Sequence, residues 1–340
     1  MQQLTLTEER EVAWLEVREP RIEGPGEAIV RPIAVALCDL DQPTIRGETP
    51  IPGPVALGHE SIADVVEVGE GVETVEVGDR VVVPFQISCG ECERCRGGLT
   101  GSCSAVPPNS MYGFGKLVGG DWGGALSDLL RVPFADAMLL PLPAGLEPAD
   151  AASICDNVAD GWRTVAPQLE REPGAEVLIA GGGAASIALY ATQIAVALGA
   201  GRVVYADDDP ARLQKAAEFG AETIGARAGK EHRHRYPIAV DATATREGLT
   251  WALGSTAPGG ICTSVGILYE PETPLPLLEM YTVGVDLRIA RVMSRAVLPN
   301  VLDLAASGAI EPGRVTSRVV DWSEAAEAVL EPETKLIVTR

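Results

Sequence analysis

The sequence predicts an α/β protein with two domains, one rich in β-strands and one built on a doubly wound parallel sheet. Its 340 residues are too many for a single small core, so two domains are expected. The first 150 residues are rich in Val, Gly and Pro, a composition typical of a loop-rich β domain. From about Glu176 onward, strand-like runs alternate with helix-like segments, which is typical of a parallel sheet covered by helices.

The individual elements follow from the spacing of apolar residues. In the β-rich part, short runs bounded by Gly, Pro or Asp predict strands at 28–37, 62–68 and 80–85. In the second part, an apolar run at 177–180 precedes three glycines and a helical apolar period, and a helix with Pro near its start is predicted at 210–219. Further strands are predicted at 203–206, 238–240, 261–265 and 285–289, and the tail adds a helix and strands near 315–320 and 336–338.

The acidic composition excludes several classes of partner. Lys and Arg number 27 against 48 Asp and Glu, giving a net charge of -21, which argues against nucleic acid and anionic membranes. The N-terminal MQQLTLTEER lacks the basic and apolar regions of a signal peptide. The uncharged stretch 177–201 breaks into a strand, glycines and a helix of about sixteen residues, too short to span a bilayer. We therefore expect a soluble, cytoplasmic protein.

A glycine motif in the second domain indicates a dinucleotide site. Gly181 permits a tight turn after a strand, and Gly183 lets the backbone approach a pyrophosphate at the N-terminus of the following helix. Ser186 replaces the third glycine of the G-x-G-x-x-G pattern, where any small residue serves for packing. For this motif alone, a glycine turn without a ligand remains the alternative.

The next strand supports the nucleotide interpretation. It ends at Asp207, which lies 24 residues beyond Gly183, at the position where an acid binds both hydroxyls of the adenosine ribose. Asp208 and Asp209 follow directly. Three carboxylates would repel a 2′-phosphate, so we predict NAD rather than NADP as the cofactor.

Four closely spaced cysteines form the most specific pattern in the chain. Four thiolates at such short spacing can surround one tetrahedral zinc ion and leave no position open, so the pattern predicts a structural zinc site in a lobe at about 89–103. The lobe contains little apolar material, and the metal would supply its order. An iron–sulfur cluster is the alternative. The four residues are Cys89, Cys92, Cys95 and Cys103.

A second metal site is suggested by residues that are far apart in sequence. Cys38 and Asp41 follow a predicted strand, His59 precedes another, and Asp156 comes just before the second domain. A thiolate, an imidazole and a carboxylate would make a three-ligand zinc site with a position open for substrate. A purely structural role for His59 is the alternative, and Cys155 competes with Asp156 as the third ligand.

The remaining histidines and one cysteine are interpreted without a metal role. His232 and His234 lie in a polar run expected to form a solvated loop. Cys262 lies in a predicted strand and is interpreted as a core thiol.

The order of these motifs resembles the zinc-containing, medium-chain alcohol dehydrogenase family over essentially the whole chain. Cys38 opens a segment that matches the ends of the family's Cys-x-[Ser/Thr]-Asp motif, and Gly58-His59-Glu60 matches its Gly-His-Glu motif. Asp156 matches the third zinc ligand, which is Cys, Asp or Glu across the family. The resemblance implies a catalytic zinc on Cys38, His59 and Asp156, with Glu60 able to approach the metal and Asp41 orienting the histidine.

The resemblance also implies an architecture and further contacts. It assigns a GroES-like catalytic domain to 1–157 and 291–340 and a Rossmann domain to 158–290. Arg212 and Lys335 match positions that touch the adenosine ribose and the pyrophosphate. The family further implies two zinc ions per chain, a small-molecule substrate, and a homodimer or homotetramer formed through the Rossmann domains.

Within the family, seven short motifs resemble the glutathione-independent formaldehyde dehydrogenase branch. This branch uses Asp as the third ligand and resembles enzymes that retain NAD tightly. The motifs are Asp41-Gln42, Arg46-Gly47, Val83-Pro84-Phe85, Thr100-Gly101, Gly120-Asp121-Trp122, Val132-Pro133 and Ala135-Asp136.

The family's usual proton path is missing. Leu40 stands where the family has a Ser or Thr that takes the alcohol proton, and Pro43 stands in place of a histidine further along the relay. Neither side chain can transfer a proton. Asp160 also replaces a Thr expected beside the nicotinamide. Either Asp39, Glu60, Asp160 or water takes over the relay, or the chemistry has less need of one.

The sequence therefore predicts a zinc-dependent, NAD-linked oxidoreductase that interconverts a small alcohol with its aldehyde or ketone. Loss of the relay leaves two alternatives. One is an NADH-dependent reductase of an imine or an activated C=C bond. The other is a non-catalytic NAD-binding zinc protein.

Overall fold

The computed structural model describes residues 1–114, 119–225 and 234–340. Within these ranges the chain forms two compact units. The first unit contains Met1–Ala159, Val292–Ser307 and Pro312–Arg340. The second contains Asp160–Arg291 and Gly308–Glu311.

The described residues form strands along the whole chain. They are β1 (Gln2–Leu6), β2 (Val12–Glu16), β3 (Ala28–Ala36), β4 (Val55–Ala56), β5 (Glu60–Val68), β6 (Arg80–Val83), β7 (Leu130–Val132), β8 (Leu140–Pro141), β9 (Glu176–Ala180), β10 (Arg202–Asp207), β11 (Glu222–Gly225), β12 (Tyr236–Asp241), β13 (Thr256–Ser264), β14 (Asp286–Ile289), β15 (Arg318–Asp321) and β16 (Leu336–Thr339).

Helices connect these strands. They are α1 (Asp41–Arg46), α2 (Glu93–Arg96), α3 (Ala135–Met138), α4 (Pro148–Ala151), α5 (Ala159–Arg171), α6 (Ala185–Ala197), α7 (Pro210–Glu218), α8 (Arg246–Gly254), α9 (Leu277–Val283), α10 (Ser294–Ala306) and α11 (Ala325–Ala328). A π-helical turn spans Ile154–Val158, and short 3-10 turns span Thr100–Ser102, Pro312–Val315 and Trp322–Glu324.

The first unit is built on two sheets. One has the strand order β2-β1-β4, and the other has the order β15-β16-β3-β5-β6-β8 with β7 also paired to β3. Leu4 and Leu6 of β1, Val35 of β3 and Val338 of β16 belong to one buried apolar cluster. This packing fixes the ends of β3 and β16, the strands that lead to Cys38 and follow Lys335.

The second unit contains one sheet of six parallel strands in the order β11-β10-β9-β12-β13-β14. The order reverses between β9 and β12, as it does in doubly wound nucleotide-binding folds. Val177, Leu178 and Ile179 of β9 are fully buried, because a central parallel strand is covered on both faces. The predicted fold class, a β-rich domain with a second domain built on a doubly wound parallel sheet, is confirmed.

Two predicted strands begin three or more residues away from the observed start. The strand predicted at 315–320 begins only at Arg318, because the 3-10 turn Pro312–Val315 takes up the preceding residues. The strand predicted at 261–265 begins earlier, at Thr256, although Pro and Gly follow. A register shift between Tyr236 and Ile238 of its neighbour accommodates these residues.

Over the three described ranges, no helix is both long enough and apolar enough to cross a membrane.

Candidate metal centres and nucleotide site

Four side chains able to bind a metal ion converge in the first unit. Cys38, His59, Glu60 and Asp156 each offer one ligand atom, and these atoms lie within 4.8 Å of one another. Cys38 follows β3, and Glu60 opens β5 with His59 just before it. Because β3 and β5 are antiparallel, with Ala36 opposite Glu60, these strand ends meet.

Two backbone features present these ligands. Gly58, just before His59, has φ of +82°. A Cβ at this position would lie 2.9 Å from Val35 Cγ1, so only glycine fits. Asp156 lies in the π-helical turn Ile154–Val158, a rare backbone form found often at functional sites.

His59 lies between two carboxyl groups and two aromatic rings. Its Nε2 lies 3.3 Å from Asp156 Oδ2, and its Nδ1 lies 3.6 Å from Asp41 Oδ1, too long for a hydrogen bond. The rings of Phe85 and Phe114 lie 5.6 and 4.8 Å from the imidazole, measured between centroids. Burial lowers the pKa of His59, but the charges of Asp41 and Asp156 outweigh it and raise the pKa to about 9.

Glu60 forms a fully buried ion pair with Lys335. Lys335 Nζ donates to Glu60 Oε1 at 2.7 Å and to the carbonyl of Leu37 at 2.8 Å. Both side chains of the pair are 0% exposed. Glu60 Oε2 is buried and has no hydrogen-bond partner among the described residues. Burial raises the pKa of Glu60, against the lowering effect of Lys335.

Cys38 completes a cluster that is rich in acidic groups. Its backbone N–H donates to Asp41 Oδ2 at 2.9 Å, and its Sγ lies 3.3 Å from Asn157 Oδ1. Burial, then the charges of Asp156, Glu60 and Asp41, raise the pKa of the Cys38 thiol well above its usual value. A divalent cation would relieve this accumulation of acids, and the sulfur, nitrogen and carboxylate donors are those that zinc accepts. The residues therefore fit a zinc ion.

The structure distinguishes the two candidates for the third ligand. Asp156 joins the cluster, whereas the Cys155 side chain points to the carbonyl of His59, with Sγ 3.9 Å from that oxygen. Cys155 is fully buried, and its own carbonyl accepts a hydrogen bond from the Ser294 hydroxyl. Cys155 is therefore a core residue next to the cluster, and Asp156 is the better candidate for the third ligand.

The four cysteines of the lobe also converge. The ligand atoms of Cys89, Cys92, Cys95 and Cys103 lie within 4.8 Å of one another. All seven cysteines of the chain are free of disulfide bonds. The α2 turn carries Cys95, and the 3-10 turn Thr100–Ser102 leads directly into Cys103.

Backbone N–H groups are directed at the lobe sulfurs. The N–H groups of Cys92, Cys95 and Ser104 donate to sulfur at 3.4 to 3.5 Å, as do those of Cys89 and Ala105. Hydrogen bonds from Ser104 and Cys95 lower the pKa of the Cys92 thiol to about 5. Burial instead raises the pKa of the Cys95 and Cys103 thiols. The four converging sulfurs and the N–H groups directed at them fit a structural zinc ion.

The glycine turn of the second unit packs tightly against Thr243 and Ala244. The Gly183 N–H donates to the carbonyl of Thr243 at 3.0 Å, and a Cβ on Gly183 would lie 2.8 Å from Ala244 Cβ. Ser186 lies at the beginning of α6 and is fully buried. These glycines are therefore needed by the fold itself, and Ser186 occupies the small-residue position of the motif.

Asp207 ends β10 and is bound by its neighbours. Arg212 donates from Nε to Oδ2 at 2.8 Å and from Nη2 to Oδ1 at 2.7 Å. The Tyr205 hydroxyl donates to Oδ2 at 2.8 Å, and the Asp209 N–H donates to Oδ1 at 2.9 Å. The Asp207 side chain is 1% exposed, whereas that of Arg212 is 22% exposed. The structure thus brings Asp207 and Arg212 together.

Other predicted residues have different surroundings. Lys335, predicted to touch a pyrophosphate, has two of its donors engaged in the first unit by Glu60 and Leu37. His234 is half-exposed and pairs with Glu176, whereas His232 lies outside the described residues. Cys262 is fully buried, as a core thiol is.

Sequence reasoning missed several residues around the metal cluster. The Phe85 and Phe114 rings, the Asn157 side chain and the partnership of Lys335 with Glu60 were not predicted. Phe114 and Asn157 carry no local signal, because their roles depend on segments distant in sequence. The pairing of Lys335 with Glu60 has no local signal either, because the two residues lie 275 positions apart in the sequence.

Comparison with known proteins identifies the family. Residues 24–144 match the family profile described as alcohol dehydrogenase GroES-like domain, and 186–307 match the one described as zinc-binding dehydrogenase. A Mycobacterium tuberculosis protein named as a probable zinc-binding alcohol dehydrogenase is 32% identical over 91% of this chain and 79% of its own length. The chain belongs to the zinc-binding alcohol dehydrogenase family, whose members are oxidoreductases.

A solved structure and a second relative extend this result. Alcohol dehydrogenase TADH from Thermus sp. ATN1 superposes with a TM-score of 0.90 and 30% identity, covering 100% of this chain and 99% of that one. The glutathione-independent formaldehyde dehydrogenase of Pseudomonas aeruginosa is 38% identical over 199 residues, 57% of this chain. That match covers 49% of the relative, so the chain aligns with about half of it.

The buried Lys335–Glu60 pair of this alcohol dehydrogenase family member can be tested by substitution. Lys335→Met leaves the Glu60 carboxylate buried without a cation, and we expect the free energy of unfolding in urea to fall by about 3 kcal/mol. The double variant Lys335→Met, Glu60→Gln should recover most of this loss, because the unpaired charge is removed as well.

Arg80→Met is the matched control, because it breaks an ion pair with Asp64 whose side chains are 48% and 34% exposed. Its expected cost is below about 1 kcal/mol. A loss for Lys335→Met no greater than that for Arg80→Met would contradict the importance of the buried pair.

Proposed function

We propose that the chain is a zinc-dependent, NAD-linked dehydrogenase that interconverts a small alcohol with its aldehyde or ketone. The observation that carries this proposal is the convergence of Cys38 with the buried side chains of His59, Glu60 and Asp156. Membership of the zinc-binding alcohol dehydrogenase family supports it.

Each residue of the cluster has a proposed role. Cys38, His59 and Asp156 would hold the catalytic metal, and the Glu60 carboxylate, which joins this cluster, would be a further donor. A zinc ion bound here would supply a Lewis acid able to polarise the substrate oxygen. Asp41, 3.6 Å from His59 Nδ1, is proposed to orient the imidazole, and Lys335 holds Glu60 in place. A second zinc ion is proposed for the four-cysteine lobe, where it would be structural.

The second unit is proposed to bind NAD at the carboxyl ends of its strands. Gly181, Gly183 and Ser186 form the turn into α6, and Asp207 would accept the adenosine ribose hydroxyls. Arg212 contacts Asp207, and we propose that it contacts the same ribose. Free thiols at every cysteine suit a reducing compartment, and we propose the cytoplasm.

The fate of the alcohol proton separates two reactions. Oxidising an alcohol to a carbonyl removes a hydride and a proton, and Leu40 and Pro43 cannot receive the proton. Of the acids proposed to replace them, Asp160 pairs with Arg163, and Glu60 pairs with Lys335. Leu40 therefore favours a second candidate, reduction by NADH of a protonated imine, which takes up only the hydride, or of an activated C=C bond, which takes its proton from water.

Zinc content and turnover test the metal centre together. We expect about two zinc ions per chain in purified protein, and about one in Cys38→Ser, because the lobe keeps its own ion. Cys38→Ser should also lose NADH formation with primary and secondary alcohols. Mass spectrometry of the metals and absorbance at the NADH band measure the two effects.

Cys262→Ser is the control, since Cys262 is a buried thiol of the second unit and should leave both zinc content and turnover intact. A wild-type protein with one zinc ion that Cys38→Ser retains would refute the catalytic metal site. Wild-type turnover confined to imines or enones would favour the second candidate, and NADH binding without any turnover would point to a binding protein.

Restoring a hydroxyl at residue 40 tests the missing relay. Leu40→Ser should raise alcohol oxidation by about tenfold over Leu40→Ala, because both remove the same bulk but only serine can accept and pass a proton. Initial rates at saturating NAD measure the effect. Equal rates for the two variants would mean that another group already receives the proton.

We also propose that two copies of the chain associate through the second unit. Strand β14 ends the described sheet, with β13 as its paired neighbour. Exposed apolar side chains occur on this strand and on α9. They are Leu277 at 66%, Leu278 at 81%, Tyr281 at 87% and Ile289 at 67% exposed. An open strand edge beside apolar side chains favours an interface with a second copy.

Mass measured by light scattering tests this association. The wild-type protein should show at least twice the chain mass of 35.6 kDa, and Tyr281→Glu should lower it because a charge would be buried in the interface. Leu330→Glu, at a 51% exposed leucine of the first unit, is the control and should leave the mass unchanged. A wild-type monomer at micromolar concentration would refute the proposal.

A further inference from the structure

Tyr205 occupies an unusual place in the second unit. It lies on β10 two residues before Asp207, so both side chains point to the same face of the strand. Tyr205 is 0% exposed, and its hydroxyl donates to Asp207 Oδ2 at 2.8 Å. A carboxylate oxygen only accepts, so the tyrosine proton lies between the two groups.

The same hydroxyl also contacts the glycine turn. A Cβ built on Gly181 would lie 2.4 Å from Tyr205 Oη and 2.5 Å from Asp207 Oδ2. The hydroxyl and the carboxylate therefore fill the space in front of the first glycine of the turn. Tyr205 thus links the two parts of the nucleotide site, the turn and the acid.

The donors to Asp207 differ in how easily they can leave. Arg212 is a long side chain that is 22% exposed, and its fork covers a carboxylate that is itself 1% exposed. An incoming pair of ribose hydroxyls can replace contacts of this fork. Tyr205 is fully buried on β10, which lies between β9 and β11, and has no such freedom, so its hydrogen bond remains while the other contacts exchange.

We propose that Tyr205 is a positioning residue for the adenosine ribose of the cofactor. Its hydroxyl holds the Asp207 carboxylate in the orientation that accepts the ribose hydroxyls. This inference rests on the proposed NAD function of the second unit and adds a residue to it. Tyr205 itself touches the carboxylate, and it acts on the ribose through Asp207.

Binding of NADH, followed by its fluorescence, tests the proposal without turnover. Tyr205→Phe removes one oxygen and keeps the ring, and we expect the NADH dissociation constant to rise by about tenfold, as for loss of a hydrogen bond to a charged group. KM for NAD should rise by a similar factor, while kcat at saturating NAD stays unchanged.

Tyr236→Phe is the matched control. Tyr236 is also fully buried in this unit, but it begins β12 and so lies at the amino ends of the parallel strands, whereas Asp207 lies at their carboxyl ends. The Tyr236→Phe variant lacks the tyrosine hydroxyl, and its NADH dissociation constant should equal that of the wild-type protein. Circular dichroism verifies that each variant is folded, and Tyr205→Met, which also lacks the hydroxyl, replaces Tyr205→Phe if that variant does not fold.

A ligand comparison separates positioning from a general structural role. ADP and 2′,3′-dideoxy-ADP, each displacing NADH, differ only in the ribose hydroxyls. Tyr205→Phe should weaken ADP by about tenfold and leave the dideoxy compound unchanged. Equal weakening of both ligands, or no weakening of either, would overturn the role of Tyr205. A wild-type protein that does not bind NADH would instead refute the proposed NAD function, and the inference with it.

Discussion

The buried ion pair between Glu60 and Lys335 is the interaction on which the first unit's site depends. A thiol and three carboxyl groups gather around His59, and burial of so many acids is costly unless cations accompany them. Lys335, the residue just before β16, supplies one cation. The remaining acids lie close together, which explains why they suit a metal ion.

The second unit handles its buried acid by a related arrangement. Asp207 is enclosed at the end of β10, with a guanidinium, a tyrosine hydroxyl and a backbone N–H filling its acceptor positions. In both units a carboxylate is therefore fixed by groups other than its proposed ligand. A carboxylate already held in place loses less conformational entropy when it binds, and this preorganisation strengthens binding.

The parts of the site predicted from sequence are those with local signals. The lobe cysteines, Gly58 before His59, and Asp207 after its strand are each recognisable within a few residues, and apolar periodicity was enough to predict the parallel sheet. The Lys335–Glu60 pair joins residues 275 apart, and no local pattern reports it. The alternation of side chains along β10 predicts the face on which Tyr205 lies. Its hydrogen bond to Asp207 depends in addition on the space left by Gly181, which lies in the turn after another strand. Sequence patterns predict which side a residue faces, whereas contacts between distant segments require the fold.

The most direct test of the central claim is anomalous X-ray scattering recorded on either side of the zinc absorption edge from crystals of the purified protein. The account predicts two zinc peaks per chain. One should lie among the four cysteines of the lobe, and the other should lie within bonding distance of Cys38, His59 and Asp156. A single peak in the lobe, with Glu60 still paired to Lys335 and no density among the other ligands, would contradict the account.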